Sequence, residues 1–191
     1  MTSVRQRLNR SVVIDMAAQV ADADGIDAVT LQRIANDAGV KQPALYRHVA
    51  GIEELWKLLA LRGRQLLATD VKTASNGLTR QDAVSAVAKA WRRFVQLHPG
   101  LYSATDRVPS VGDTDIEVSL QAVINALVDS LSGYSLSPEQ RGHCARSLRS
   151  ALHGFCVLEK DCGHPEPYAI DEGLNNLVAV ICRGIESLEP A

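Results

Sequence analysis

At 191 residues, 46% hydrophobic and 22% charged, the chain can build one sizeable core or a small module joined to a larger one, and it is too apolar for a disordered polyelectrolyte. A net charge of −2 excludes wholesale attraction to nucleic acid, so any such binding has to come from a local basic patch. No apolar run is long enough to span a bilayer, and the arginines of "MTSVRQRLNR" are not followed by an apolar stretch of signal-peptide type, so a cytoplasmic protein without a membrane partner is expected.

The apolar period is helical nearly throughout, β-branched alternation is scarce, and no hairpin dipeptide separates alternating runs; the expected class is all-α. A first helix is expected over about residues 9–23, with Val13, Met16, Ala17 and Val20 on one face and Gly25 as its stop. Thr30 is a good N-cap for a short second helix in which Leu31, Ile34, Ala35 and Ala38 repeat at i, i+3, i+4, i+7. Gly39 ends it. A third short helix is expected over about 42–49, with Pro43 in its first turn, where the missing N–H is not needed, and Leu45 and Val49 facing inward. A long helix follows over about 52–74 and outruns what a three-helix headpiece requires. The expected organisation is therefore a three-helix head over residues 1–51 and a second helical module over 52–191, with 52–74 as the linking helix.

"TASNGLT" (73–79) is the clearest break in the first half. Beyond it the pattern gives helices over about 80–97, 100–105 and 115–132, one from just after Ser137-Pro138-Glu139 to about 160, and a last one over about 171–188. The Pro/Gly-bearing stretches "DRVPSVGD" and "DCGHPEPY" connect them.

Residues 30–49 read as helix, glycine turn, helix. The small Ala35 lets the two helices approach, Gly39 takes a positive-φ turn, and Leu45 closes the crossing, which is what a helix-turn-helix requires. That geometry projects the start of the second helix outward, where it can enter a DNA major groove. The outward residues are Lys41, Gln42, Pro43, Ala44, Tyr46, Arg47 and His48. Gln can pair bidentately with adenine, Pro and Ala can touch a thymine methyl, and Tyr, His, Lys and Arg can bind phosphate. The alternative is a helical pair used only for packing. Against it, residues 40–50 hold no acid, and Arg5, Arg7 and Arg10 stand in the first ten residues with no acid among them.

The stretch "AVTLQRIANDAGVKQPALYRHVAGIEELW" (28–56) resembles the DNA-binding segment of the TetR (tetracycline-repressor) family of transcriptional regulators, and "QPALYRHV" is similar to the tetracycline-repressor form of its recognition helix. The close match spans about residues 8–67. The rest fits in broad layout as a divergent helical ligand-binding and dimerisation domain, in which "HPGLYSATDR" (98–107) is similar to a segment of one family subgroup. The resemblance implies that Thr30 caps the second helix near a phosphate, that Gln32 and Arg33 reach bases or backbone, that Gln42, Pro43 and Ala44 meet base edges, and that Tyr46 and His48 bind phosphates with Arg47 beside them. It departs at two places. Ile52 stands where the family usually has a lysine, so one phosphate anchor is absent or moved, for instance to the N-terminal arginines. Ala44 stands where the tetracycline-repressor pattern has a hydroxyl. The function implied is a homodimeric repressor released from palindromic operator DNA by a small-molecule effector.

In the C-terminal region Trp91 and Phe94 share a helix face. Core packing is one reading of them; the other is an effector pocket whose apolar walls include Tyr102 and whose polarity comes from His98, Asn125 and His153. The resemblance implies that the last two helices meet their symmetry mates, with Leu148, Leu152, Phe155, Leu177, Ile181 and Ile185 as interface candidates.

His153, Cys156, Cys162 and His164 are metal-capable, but H-x2-C-x5-C-x-H matches no zinc spacing, so soft packing residues are expected and no metal site is assigned; Cys144 and Cys182 read the same way. "ADADGID" lacks the further ligands of a calcium loop and reads as a helix-ending turn. No nucleophile, metalloprotease, dinucleotide or phosphate-loop motif is present, so no catalytic residue and no cofactor are assigned. Two other classes remain open: a DNA-binding dimer that takes no ligand, and a metal or redox sensor or small helical enzyme using His153 and the cysteines.

Overall fold

The computed structural model describes residues 8–109, 111–161, 163 and 169–190. Eight α-helices follow one another: α1 (Arg10–Asp24), α2 (Leu31–Asp37), α3 (Ile52–Ser75), α4 (Arg80–Leu97), α5 (Pro99–Arg107), α6 (Thr114–Ser130), α7 (Pro138–Lys160) and α8 (Ile170–Glu186). Two short 3-10 helices, Ile26–Ala28 and Gln42–Arg47, flank α2. Among the described residues there is no strand.

Local chemistry sets most of the boundaries. Asn9 Oδ1 accepts the Val12 N–H (3.0 Å) and starts α1. Gly25, at φ +89°, ends it and donates its N–H to Ala21 O (3.0 Å). Thr30 Oγ1 accepts the Arg33 N–H (3.1 Å) at the start of α2. Ser137 and Gln140 form a reciprocal capping box ahead of α7, and Pro138 occupies its first turn. Thr30→Ala removes one of these caps and is expected to lower stability by about 1 kcal/mol, read as a lower denaturant midpoint with an unchanged slope.

The chain forms two compact units. One takes the described residues up to Gly63 together with His98–Glu117, and the other takes Arg64–Leu97 with the described residues from Val118 onward. Two of the three divisions fall inside continuous helices, α3 and α6, and the third lies between α4 and α5. The first unit thus runs past the boundary expected at residue 51, and the reason lies in its core. Val13, Ala17, Ile34, Ala35, Leu45 and Val49 form one buried cluster with Leu55 and Leu59 of α3 and with Leu101 and Ala104 of α5. Three short elements alone would leave the apolar faces of α1 and α2 half covered; α3 and α5 complete the burial.

The joint between α1 and α5 is closer than side-chain packing alone allows. Gly100 lies so near Ala21 that a Cβ built on it would stand 2.0 Å from the Ala21 carbonyl carbon and oxygen. Asp22 Oδ1 accepts the N–H groups of Gly100 (2.9 Å) and Leu101 (3.0 Å), and Asp22 Oδ2 meets His98 Nδ1 at 3.1 Å. A carboxylate on the first N–H groups of a helix satisfies donors that have no partner within it.

In the second unit α4 packs on α7 and α8, and α7 on α8. Trp91, Phe94, Leu127, Leu131, Leu148 and Leu152 are fully buried there. Arg80 opens α4 in the left-handed region, at φ +53°. It is held by Glu189 (2.8 Å), by Gly133 O (3.3 Å) and by the face of Tyr134, 4.6 Å away. No helix among the described residues is long and apolar enough to cross a membrane.

Candidate nucleic-acid interface

The turn between α2 and the 3-10 helix is a Schellman motif. Gly39, at φ +65°, donates to Asn36 O (3.0 Å), and the Val40 N–H reaches back to Ala35 O (3.0 Å). Ala35 and Ile34 are fully buried, so the small residue expected to admit the second element does so.

The second element differs from the expected α-helix over 42–49: it is a 3-10 helix over Gln42–Arg47. Its first bond runs from the Ala44 N–H to Lys41 O (2.9 Å), and at its end Leu45 O accepts both the His48 and Val49 N–H groups. These i→i+3 bonds make the element tighter than an α-helix, and past its end the Val49 N–H closes an i→i+4 turn on Leu45 O. The inward pair is as expected, Leu45 and Val49 being buried.

The opposite face is open. Lys41, Pro43, Tyr46 and Arg47 are exposed, and Gln42, Ala44 and His48 half-buried. Tyr46 is 53% exposed. Gln42 Nε2 lies 3.4 Å from its hydroxyl, which ties the two side chains together on one turn. No acid pairs with Lys41 or Arg47 among the described residues, so their charge faces solvent undiminished. On α2, Thr30 and Gln32 are exposed, Gln32 donating to Asn36 Oδ1 (2.9 Å). Arg33 is placed differently. Its guanidinium spans Asp24 and Asp37, each at 2.9 Å, and these acids hold its pKa above the ordinary range, the Asp37 hydrogen bond first. To touch DNA it has to leave both.

Ile52, in place of the family's lysine, packs against the head's core. Two residues on, Glu54 accepts the Ala50 N–H and pairs with Arg10. Of the N-terminal arginines named as replacement anchors, Arg10 is therefore engaged by Glu54, and Arg5 and Arg7 lie outside the described residues.

The other candidates are distributed over the molecule. Trp91 and Phe94 are in the core of the second unit, with Asn125 accepting from Gln121 (2.8 Å) and His153 half-buried on α7. Tyr102 is buried in the first unit, where His98 is engaged by Asp22. Of the interface candidates, Leu148, Leu152 and Ile185 are buried within the chain's own core and have no surface to offer a partner. Phe155, Leu177 and Ile181 are half-buried, while Leu158 on α7, which lies on the same apolar stripe, and Val180 on α8, not singled out from sequence, are 48% and 60% exposed. Cys144, Cys156 and Cys182 are buried free thiols. Burial, reinforced by the charge of Glu159, pushes the Cys156 thiol up to about 12, so it stays protonated at neutral pH and packs as a small apolar group. Cys162 and His164 lie outside the described residues.

A glycine-turned helix pair, seated on Leu45 and Val49 and presenting an acid-free polar face, defines a helix-turn-helix DNA-binding protein. Residues 13–59 match the family described as bacterial regulatory proteins, tetR family, and residues 84–181 match the tetracyclin repressor-like C-terminal domain. An uncharacterized HTH-type transcriptional regulator of Mycobacterium tuberculosis is 32% identical over 181 residues, covering 94% of this chain and 83% of the relative. The class D tetracycline repressor protein of Escherichia coli is 42% identical over 55 residues, 29% of this chain and 25% of that one. Among solved structures, a TetR variant from Acinetobacter baumannii in complex with minocycline superposes with a TM-score of 0.69 at 19% identity, covering 97% of this chain and all of that one; at that identity the likeness shows the fold. The chain belongs to the TetR family of transcriptional regulators: a DNA-binding transcription factor, not an enzyme.

Proposed function

We propose that the protein is a homodimeric repressor that binds a palindromic operator and leaves it when a small-molecule effector binds. The observation that carries the DNA part is the exposed face of the 3-10 helix, with Gln42 and Tyr46 joined on one turn and Lys41 and Arg47 unopposed by acids. One such element spans only a few base pairs, and two related by a two-fold axis read two half-sites. The half-buried Phe155, Leu177 and Ile181, with exposed Leu158 and Val180, support a dimer face on α7 and α8. For the effector, Trp91, Phe94, Asn125 and His153 in the second unit are the candidate contacts; His98 and Tyr102, named with them from sequence, belong to the first unit. A ligand there has to favour one spacing of the two heads over the other, since equal affinity for both shifts nothing.

Base readout is assigned to Gln42, Pro43 and Ala44, and phosphate contacts to Lys41, Tyr46, Arg47 and His48, with Thr30 and Gln32 beside them and Arg33 recruited only on release from Asp24 and Asp37. Tyr46→Ala is expected to weaken binding to operator and to scrambled DNA alike, whereas Gln42→Ala is expected to lose roughly 1–3 kcal/mol of discrimination at one base position of each half-site. Selection of bound sequences from a random pool, followed by titration of both variants against the selected site, measures this. Unchanged affinity and preference in both variants would remove the 3-10 helix from the interface.

A further inference from the structure

Arginine and lysine stand at four places between residues 8 and 50: Arg10, Arg33, Lys41 and Arg47. Lys41 and Arg47 meet no acid among the described residues, whereas Arg33 is spanned by Asp24 and Asp37 and Arg10 is paired with Glu54. The difference matters for DNA. A cation that neutralises a phosphate releases condensed counterions and strengthens binding to any sequence. One already neutralised by a carboxylate contributes nothing of the kind until the carboxylate lets go.

Arg10 is the paired arginine at the edge of the reading element. That element closes where Leu45 O accepts the Val49 N–H (3.0 Å), and the next N–H, that of Ala50, is accepted by Glu54 Oε2. Glu54 Oε1 takes Arg10 Nη2 at 2.5 Å. One carboxylate therefore sets the guanidinium beside the backbone that leaves the reading element, although Arg10 and Glu54 are 44 residues apart in the chain. The pair is shallow, with the Arg10 side chain 54% exposed and that of Glu54 28%. A guanidinium has five donors, and Nε and Nη1 of Arg10 give to no partner among the described residues. An ion pair so exposed is weak, so a phosphate competes with Glu54 for this side chain. Arg33 is gripped at two donors by two acids; Arg10 is gripped at one donor by one acid, and a single change of charge frees it.

We propose that Glu54 is a positioning residue for Arg10 that sets the sequence-independent share of DNA affinity: its charge holds Arg10 off the phosphate backbone, so that arbitrary DNA retains the head less strongly. The proposal rests on the interface assigned above. The two oxygens of Glu54 serve different ends, which makes them separable. The Ala50 N–H needs only an acceptor, and Glu54→Gln keeps one; the hold on Arg10 needs a charge, and Glu54→Gln removes it.

Binding to a mixed-sequence DNA duplex, measured from about 50 to 200 mM salt, tests this with the parent, Glu54→Gln, Arg10→Ala and the double variant, and with Tyr46→Ala as the marker of the interface. Glu54→Gln is expected to bind at least roughly threefold more tightly at the low-salt end, and its log–log salt slope to steepen by about 0.9, the share of one further phosphate. In the Arg10→Ala background the same substitution is expected to leave the slope where it was. A slope that Glu54→Gln does not steepen, or steepens equally with and without Arg10, overturns the proposal; in the second case Glu54 acts by repelling phosphates itself. If Tyr46→Ala binds as the parent does, the interface has failed and the role of Glu54 falls with it. If Tyr46→Ala binds more weakly while the slopes stay level, the interface stands and the role of Glu54 alone is overturned.

Discussion

Gly100→Ala is expected to be the most damaging addition of a single methyl group to the first unit. The new Cβ would stand 2.0 Å from the carbonyl carbon and oxygen of Ala21 and 2.5 Å from the Asp22 nitrogen. All three are backbone atoms, so no rotamer change relieves the clash and the two helices have to part. Parting them withdraws the Asp22 carboxylate from the N–H groups of Gly100 and Leu101 and loosens Leu101 and Ala104 from the cluster shared with Ala17 and Ala21. Overpacking usually costs about 1–3 kcal/mol, and a backbone-on-backbone clash belongs at the top of that range. A loss of about 3 kcal/mol would lower Tm by roughly 6–12 °C in a chain of this size. Gly142→Ala is the control. That glycine lies inside α7 with nothing within 4 Å of its Cβ position, and the same substitution there is expected to be neutral or to stabilise by up to about 1 kcal/mol. Equal midpoints for the two variants would show that the α1–α5 approach is not as close as described.

Gly100 also marks where sequence reasoning stops. Its neighbourhood, "HPGLYSATDR", could be matched to a family segment, yet nothing local says that the glycine is there for a helix that begins ninety residues earlier. The features that could be read were those whose cause lies within a few residues: Thr30 as a cap, the helix start after Ser137-Pro138-Glu139, the stop at Gly25, the positive-φ turn at Gly39, and the inward Leu45 and Val49. Periodicity placed α4 within its observed ends because helix pattern and turn chemistry agree there. It could not choose between α and 3-10 for Gln42–Arg47, where the apolar pair looks the same in either coil and hydrogen-bond length decides.

The candidate sites were legible to different depths. Tyr46, Lys41 and Arg47 could be found because a face without acids is a property of the sequence alone. The Arg33–Asp24 pairing could not, since Asp24 reaches it from another helix. For the last two helices, an apolar periodic stripe marks what is buried without saying by what. Leu148 and Leu152 fit the stripe and are spent inside the chain; Val180 lies on the opposite side of α8 and shows itself only once the core has been assigned. The compact units divide at Gly63 and Arg64 for a related reason: α3 is one uninterrupted periodic helix, and no composition break marks the point where its neighbours change.

Arg92 lends itself to the sharpest test of what polar groups do in the second unit. It forms a bidentate pair with Glu159, Nε to Oε2 and Nη2 to Oε1 both at 2.7 Å, and a second ion pair with Asp171. Its side chain is 18% exposed and that of Glu159 15%, so little solvent screens them. The Glu159 hydrogen bonds hold the guanidinium pKa above its ordinary value. Arg92→Met keeps most of the stem's packing but leaves a poorly hydrated carboxylate without its cation. Breaking a buried pair on one side costs about 3–5 kcal/mol; with partial exposure, about 3 kcal/mol and a Tm lower by roughly 6–12 °C are expected. Adding Glu159→Leu removes the carboxylate, which would otherwise keep only the weaker neutral donor of Gln96 (3.1 Å) among the hydrogen bonds named for it, and should restore at least half of the loss, because the penalty resides in the poorly neutralised carboxylate more than in the missing attraction. Thermal midpoints of the parent, both single variants and the double variant decide the point. If the two single losses simply add, Arg92 and Glu159 are independent surface charges and α4 is not fastened to α7 through them.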